Sequence, residues 1–146
     1  GMTEHFVIAT TDCALAAQNA VVAAESLGLG ICYIGGIRND PQQVADLLEL
    51  PDQVYPVFGM CLGWPDQEPM LKPRLPLSVT LKEERYDESG DRDGIAAYDE
   101  TLRAYYNERT GGKRESTWTS DMSALLGKES RPHMKGFLAD RGFTMR

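Results

Sequence analysis

The sequence predicts an α+β domain, and three observations carry that expectation. A long alanine-rich segment near the N-terminus reads as helix. Short apolar runs bounded by glycine and proline read as strands. Helical patterns then close the chain. The resulting order, α, β, α, β, β, α, α, α, places it in the α+β class or the mixed α/β class beside it.

The first helix is expected over 10–27. Thr10, Thr11 or Asp12 can cap it by accepting orphan N–H groups, and Gly28 is a natural left-handed stop. Leu15, Val21, Val22 and Leu27 make it apolar on most faces. Such a helix lies in a core or against a partner subunit, and composition leaves both open. Ile31–Ile34 reads as a buried strand, ending on Gly35-Gly36. Asn39 or Asp40 caps a second helix that has Pro41 at its first position and Val44, Leu47 and Leu48 on one face. The run 54–64 reads as an irregular or edge strand because of Pro56, Gly59 and Gly63. After a proline-rich extended loop, Leu77, Val79 and Leu81 alternate with polar residues and predict a half-buried strand over 77–84. Helices are expected over 95–108, around 118–126 and around 132–141, with a mobile basic loop after Arg109.

The 146 residues suit one domain with a real core. The net charge of −7 argues against nucleic acid, whose phosphates need a basic face. Cys13, Cys32 and Cys61 lie in apolar segments without metal spacing, so they are expected as buried thiols in a reducing compartment. With no unbroken apolar run of about 18 residues, no membrane span is expected. The first residues do not read as a signal peptide. Gly1 ahead of Met2 reads as a cloning remnant, so a single domain is expected over 2–146.

No phosphate-binding glycine loop, nucleophile elbow or histidine ligand pattern occurs. The carboxylate pairs Glu83-Glu84 and Asp91/Asp93 lie in charge-mixed, solvated stretches. What remains is a set of backbone-approach and anion-binding features. Gly35-Gly36 can expose backbone N–H groups that no Cβ shields. Lys72-Pro73-Arg74 sets two cations on a segment that proline stiffens, which suits one phosphate. Arg109, Lys113 and Arg114 surround Gly111-Gly112. Taken singly, the triplet is an ordinary exposed linker and the glycine loop an ordinary solvated one.

Together, AAQNAVVAAESLGLGICYIGGIRND, VFGMCLGWP, LKPRLP, YYNERT and KESRP, in this order, resemble the C-terminal portion of the oxygen-insensitive NADPH nitroreductase and NADPH–flavin oxidoreductase family. The resemblance implies a mixed sheet flanked by helices, with the long apolar helix at a homodimer interface. It implies FMN as cofactor and NADPH as co-substrate. Tyr33, Ile34, Gly35 and Gly36 would run beside the flavin ring, and Lys72, Pro73 and Arg74 would grip its phosphate. Arg109, helped by Lys113 and Arg114, would meet the NADPH 2′-phosphate, and Arg131 would line the substrate pocket. It implies ping-pong hydride transfer to a small-molecule acceptor such as a nitroaromatic, a quinone or free flavin. No catalytic side chain and no metal are expected, and the setting is cytoplasmic.

Family members also carry an N-terminal His-Arg-Ser-x-Arg type motif that this chain lacks. A truncated domain holding half of each flavin site is therefore expected, with a separate chain as a possible source of the rest. A non-enzymatic remnant, acting as a dimerising or flavin-binding module, is the competing expectation.

Overall fold

The structure is a computed structural model that describes residues 2–144. Its elements are α1 (Thr3–Ser26), β1 (Gly30–Ile34), a 3-10 helix (Gly35–Asn39), α2 (Pro41–Leu47), β2 (Gly59–Gly63), α3 (Leu77–Thr80), α4 (Asp91–Thr110), α5 (Trp118–Leu126) and α6 (Met134–Asp140). They form two compact units, one of residues up to 67 and from 130 onward, the other of residues 68–129.

In the first unit α1 starts at Thr3, not at Thr10. Thr10 is a helical residue, not a cap. Its hydroxyl donates to the Phe6 carbonyl at 2.7 Å and lies 2.5 Å from the Tyr55 hydroxyl. Nothing between Thr3 and Thr10 breaks a helix, since that stretch holds neither glycine nor proline. The stop falls where expected, with Gly28 at φ +79°. Phe6, Thr10, Ala17, Val21 and Ala24 are its more covered positions. At 100° per residue they share one side. Phe6 stacks on Tyr55 and meets Phe143 edge-on, with ring centres 5.5 and 5.7 Å apart. On roughly the opposite side, Ile8, Leu15 and Val22 recur every seven residues and are all exposed. By length and mean hydropathy α1 could cross a membrane. The sequence expectation missed this because it began the helix late and required an unbroken apolar run.

The strands β1 and β2 form an antiparallel pair from Gly30↔Gly63 to Ile34↔Gly59. Among the described residues this two-stranded sheet stands in place of the expected mixed sheet. Nor is β1 buried as expected: Cys32 and Tyr33 are exposed. The α2 start follows the sequence, since Asp40 accepts from the Gln43 N–H at 3.0 Å and Pro41 opens the helix. Arg141, at the end of α6, ties the C-terminal segment of this unit to the loop that follows α2. Its guanidinium donates to the carbonyls of Leu50, Pro51 and Val54, and the Gln53 N–H donates back to the Arg141 carbonyl at 2.8 Å.

The second unit is organised by α4. Tyr98, Leu102, Tyr105 and Tyr106 fall on one face and are buried, with Leu75 and Trp118 packed against them. Asp91 and Asp93 in the first turn and Arg109 in the last complement the helix dipole, and Gly111 ends it at φ +60°. The expected strand over 77–84 is not formed. Residues 77–80 instead make the single turn α3, in which the Leu81 N–H donates to the Leu77 carbonyl at 2.7 Å. Three alternating apolar residues cannot separate a strand from a turn of helix, and Leu77 and Leu81 both end up exposed. The turn packs closely on α4: a Cβ on Gly94 would stand 2.6 Å from the Val79 side chain. Lys82 and Asp91 close the same corner as an ion pair. A capping box between Thr117 and Ser120 starts α5 where the sequence placed it.

Candidate functional site

In the first unit the site is built where β1 runs into the 3-10 helix. Tyr33 is half out of the surface and meets Phe58 edge-on, with ring centres 5.0 Å apart. Together with Ala14, Gln18, Gly35 and Arg38 they line an open cleft of about 410 Å³. The two glycines have different tasks. A Cβ on Gly35 would come 3.3 Å from the Arg38 guanidinium, which donates to the Val57 carbonyl and so fixes the entry to β2. A Cβ on Gly36 would meet no atom within 4 Å. Neither glycine has a positive φ. At Gly36 the missing side chain leaves space beside the backbone rather than permitting a turn. Ile34 is half-buried and pairs with Gly59.

Arg131 is in the same unit. It is one of the few non-glycine residues at positive φ, +55°. Its Nε donates to the Asn39 side-chain oxygen at 3.0 Å, and His133 Nε2 lies 2.9 Å from the Arg38 carbonyl. Residues 131–133 are thereby fastened to the end of the 3-10 helix that begins with the glycine pair.

The other expected residues belong to the second unit. The Tyr98 hydroxyl donates to the Pro73 carbonyl at 3.0 Å, pinning the segment between its two cations to the α4 core. Lys72 and Arg74 both line an open cavity of about 560 Å³, with Leu75, Tyr98, Trp118 and Met122 among its other walls. The Lys72 ammonium stands 5.5 Å from the Tyr106 ring centre.

Arg114 reaches the same ring at 4.0 Å. Its guanidinium also donates to Ser116 at 2.7 Å and pairs with Asp121 at 2.9 Å. Arg109 donates to the Tyr105 hydroxyl at 3.3 Å from an exposed position, and Lys113 is exposed. Lys113 and Arg114 are expected as helpers of Arg109; Arg114 is the more heavily engaged of the two, held by Tyr106, Ser116 and Asp121. Tyr105 and Tyr106 open the YYNERT block, to which the sequence assigns no individual role. Their adjacency to Arg109 one turn on was the available signal.

Electrostatics near α5 follow from hydrogen bonding. Burial pulls the Asp99 carboxyl upward. The hydroxyl and N–H of Thr119, the Trp118 N–H and Arg103 outweigh it and hold the group below its ordinary value.

Two family models match the chain: the nitroreductase family over residues 2–64 and the nitroreductase family C-terminal domain over residues 72–146. The chain belongs to the nitroreductase family. A Cr(VI) reductase from a Pseudomonas strain is 43% identical over 97% of this chain and 58% of its own length. An NADPH-flavin oxidoreductase from Vibrio harveyi is 46% identical over 99% of this chain and 60% of its own. The solved NADPH:FMN oxidoreductase from Vibrio harveyi, in complex with NAD+, superposes with a TM-score of 0.89 at 44% identity, covering 100% of this chain and 59% of that one. The nitroreductase chain described here thus spans about 60% of the length of these relatives, in the same α+β fold.

Proposed function

We propose that this nitroreductase-family chain is the FMN-binding part of an NADPH oxidoreductase that reduces nitroaromatics, quinones or free flavin. The observation that carries the reading is the pair Lys72 and Arg74 on one cavity wall, held by the Tyr98–Pro73 hydrogen bond. Neither cation forms an ion pair among the described residues, so both charges are available to an anion. A phosphate monoester carries about two charges and accepts bidentate hydrogen bonds from arginine. The names of the relatives, an NADPH-flavin oxidoreductase and an NADPH:FMN oxidoreductase, favour a flavin phosphate over another anion.

The chain's residues fit such a group. Open space beside Gly36 lets a flat ring approach the backbone. Tyr33 and Phe58 offer aromatic surface beside it. When bound, FMN supplies hydride acceptance from NADPH and electron delivery to the acceptor in two half-reactions. Within the second unit Lys72 and Arg74 are proposed to hold a flavin phosphate; within the first, residues 33–36 are proposed to border a flavin ring. Arg109 is proposed to hold the NADPH 2′-phosphate, with Lys113 beside it. Arg131, fixed to Asn39, is proposed to border the acceptor.

The exposed stripe Ile8, Leu15 and Val22 is proposed as a homodimer surface within a single cytoplasmic domain. An Asp12 carboxylate near the middle of α1 would cost about 2.5–3.5 kcal/mol in a bilayer, which favours a protein partner over lipid. A second chain supplying the remaining length of the relatives is a further candidate partner. The deciding experiment is FMN titration of the purified chain by flavin fluorescence, followed by NADPH oxidation with a quinone acceptor. Quenching with turnover supports the reductase. A chain that dimerises but neither binds FMN nor oxidises NADPH supports the second reading, a non-enzymatic module.

A further inference from the structure

The sheet register sets Cys32 of β1 directly opposite Cys61 of β2. Side chains opposed in an antiparallel pair rise from the same face, and their Cα atoms are about 4.5 or 5.5 Å apart according to the pair type. Both spacings lie inside the range of about 4.4–6.8 Å that a disulfide spans.

The face that carries them bears few side chains of its own. With side chains alternating between faces, β1 contributes Gly30, Cys32 and Ile34 to it, and β2 contributes Gly59, Cys61 and Gly63. A Cβ at Gly63 would meet no atom within 4 Å. Both thiols are free and exposed, contrary to the buried thiols expected from the sequence, and Cys32 makes only a weak 3.8 Å contact to the Tyr33 carbonyl. Cys13, also exposed, is on α1, outside this register.

We propose that Cys32 and Cys61 are a peroxide-reactive dithiol that closes into a cross-strand disulfide. One thiolate attacks an oxygen of hydrogen peroxide. The S–O bond forms, the O–O bond breaks, and the other oxygen leaves as water after protonation. The opposing thiol then attacks the sulfenic sulfur, forming the S–S bond and expelling the hydroxyl as a second water with the thiol's proton. Two thiols are oxidised and one peroxide is reduced to two waters. The step needs no flavin, so its test is independent of the reductase reading.

The test uses the full chain. It is treated with hydrogen peroxide, alkylated under denaturing conditions and digested with proteases that include cleavage after Glu25, which separates Cys13 from Cys32. Titratable thiols should fall from three to one. A Cys32 peptide should be found joined to a Cys61 peptide, two hydrogens lighter than their sum, and should vanish with dithiothreitol. The proposal is overturned if both cysteines are still alkylated after peroxide, if each is carried separately to sulfinic acid, or if they are joined only between chains or to Cys13.

Discussion

The guanidinium carbon of Arg114 lies 4.0 Å from the centre of the Tyr106 ring, and the Lys72 ammonium stands 5.5 Å from the same centre. Two cations thus converge on one buried tyrosine, and the arginine is further held by Asp121. An exposed cation–π contact contributes about 0.5–1 kcal/mol and a surface ion pair about 0–1 kcal/mol. Arg114→Ala should therefore lower unfolding stability by about 0.5–2 kcal/mol in urea while leaving nucleotide preference intact. Arg109→Ala should do the reverse, raising the NADPH KM with kcat and NADH turnover nearly unchanged. Matching losses with both nucleotides in the Arg109 variant would assign that arginine to shared structure.

Arg74→Ala should weaken FMN binding by about 1.5–3 kcal/mol, the range for a hydrogen bond to a charged group. Arg74 forms no ion pair among the described residues, so folding stability should barely change. An FMN titration identical to that of the parent chain, with impaired NADPH kinetics, would mean that the cavity takes the nucleotide instead.

The neighbouring glycines should respond differently. Gly36→Ala meets no protein atom, so the variant should fold normally and lose FMN affinity. Gly35→Ala presses on Arg38 at 3.3 Å and disturbs its bond to Val57. The guanidinium must give by a few tenths of an ångström, a smaller strain than the about 1–3 kcal/mol of an overpacked core, so melting temperature should fall slightly whether or not flavin is present. Measuring both affinity and melting temperature separates the two cases. Full FMN affinity in Gly36→Ala would remove the ring from that position.

The pattern of what the sequence revealed has a physical basis. Asp40-Pro41, Thr117 and Gly28 act through local geometry, and α2, α5 and the end of α1 lie where those residues put them. The 77–84 segment failed because its alternation is short and its fate depends on packing against Gly94 of α4. The thiols failed because an apolar run implies burial only when something covers it, and β1 has one open face. In the candidate site the residue types were legible from the motif blocks. The division of labour between Gly35 and Gly36, and the capture of Arg114 by Tyr106, depend on tertiary neighbours that spacing does not encode.

Asp99 gives a pH-dependent prediction. Its carboxylate accepts the Thr119 N–H at 2.9 Å and thereby helps hold the start of α5 against α4. The folded-state value is lowered, so its contribution is fully present above the unfolded carboxylate value of about 3.9 and is lost as pH falls through the lower folded value. Asp99→Ala should cost about 1 kcal/mol near neutral pH, as for loss of a helix cap. The gap between variant and parent should close only below about pH 4. A gap that is constant from pH 7 down to pH 3 would show that the side chain acts by packing rather than charge.

The α1 stripe gives the last prediction. Leu15 is 60% exposed and Val22 is 59% exposed, on the side of α1 away from Val21 and Ala24. Covering a leucine fully contributes about 1.5–3 kcal/mol, and a twofold interface counts each residue twice. The chain should therefore sediment as a homodimer at micromolar concentration. Leu15→Asp would place an unpaired carboxylate in that interface, at a cost of several kcal/mol per copy. The dissociation constant should rise at least about a hundredfold, equivalent to about 2.8 kcal/mol. The variant should sediment as monomer or aggregate, while the milder Leu15→Ala should remain a weakened dimer that folds. A parent chain that is monomeric and well folded at that concentration would show that this stripe is covered by something other than a second copy.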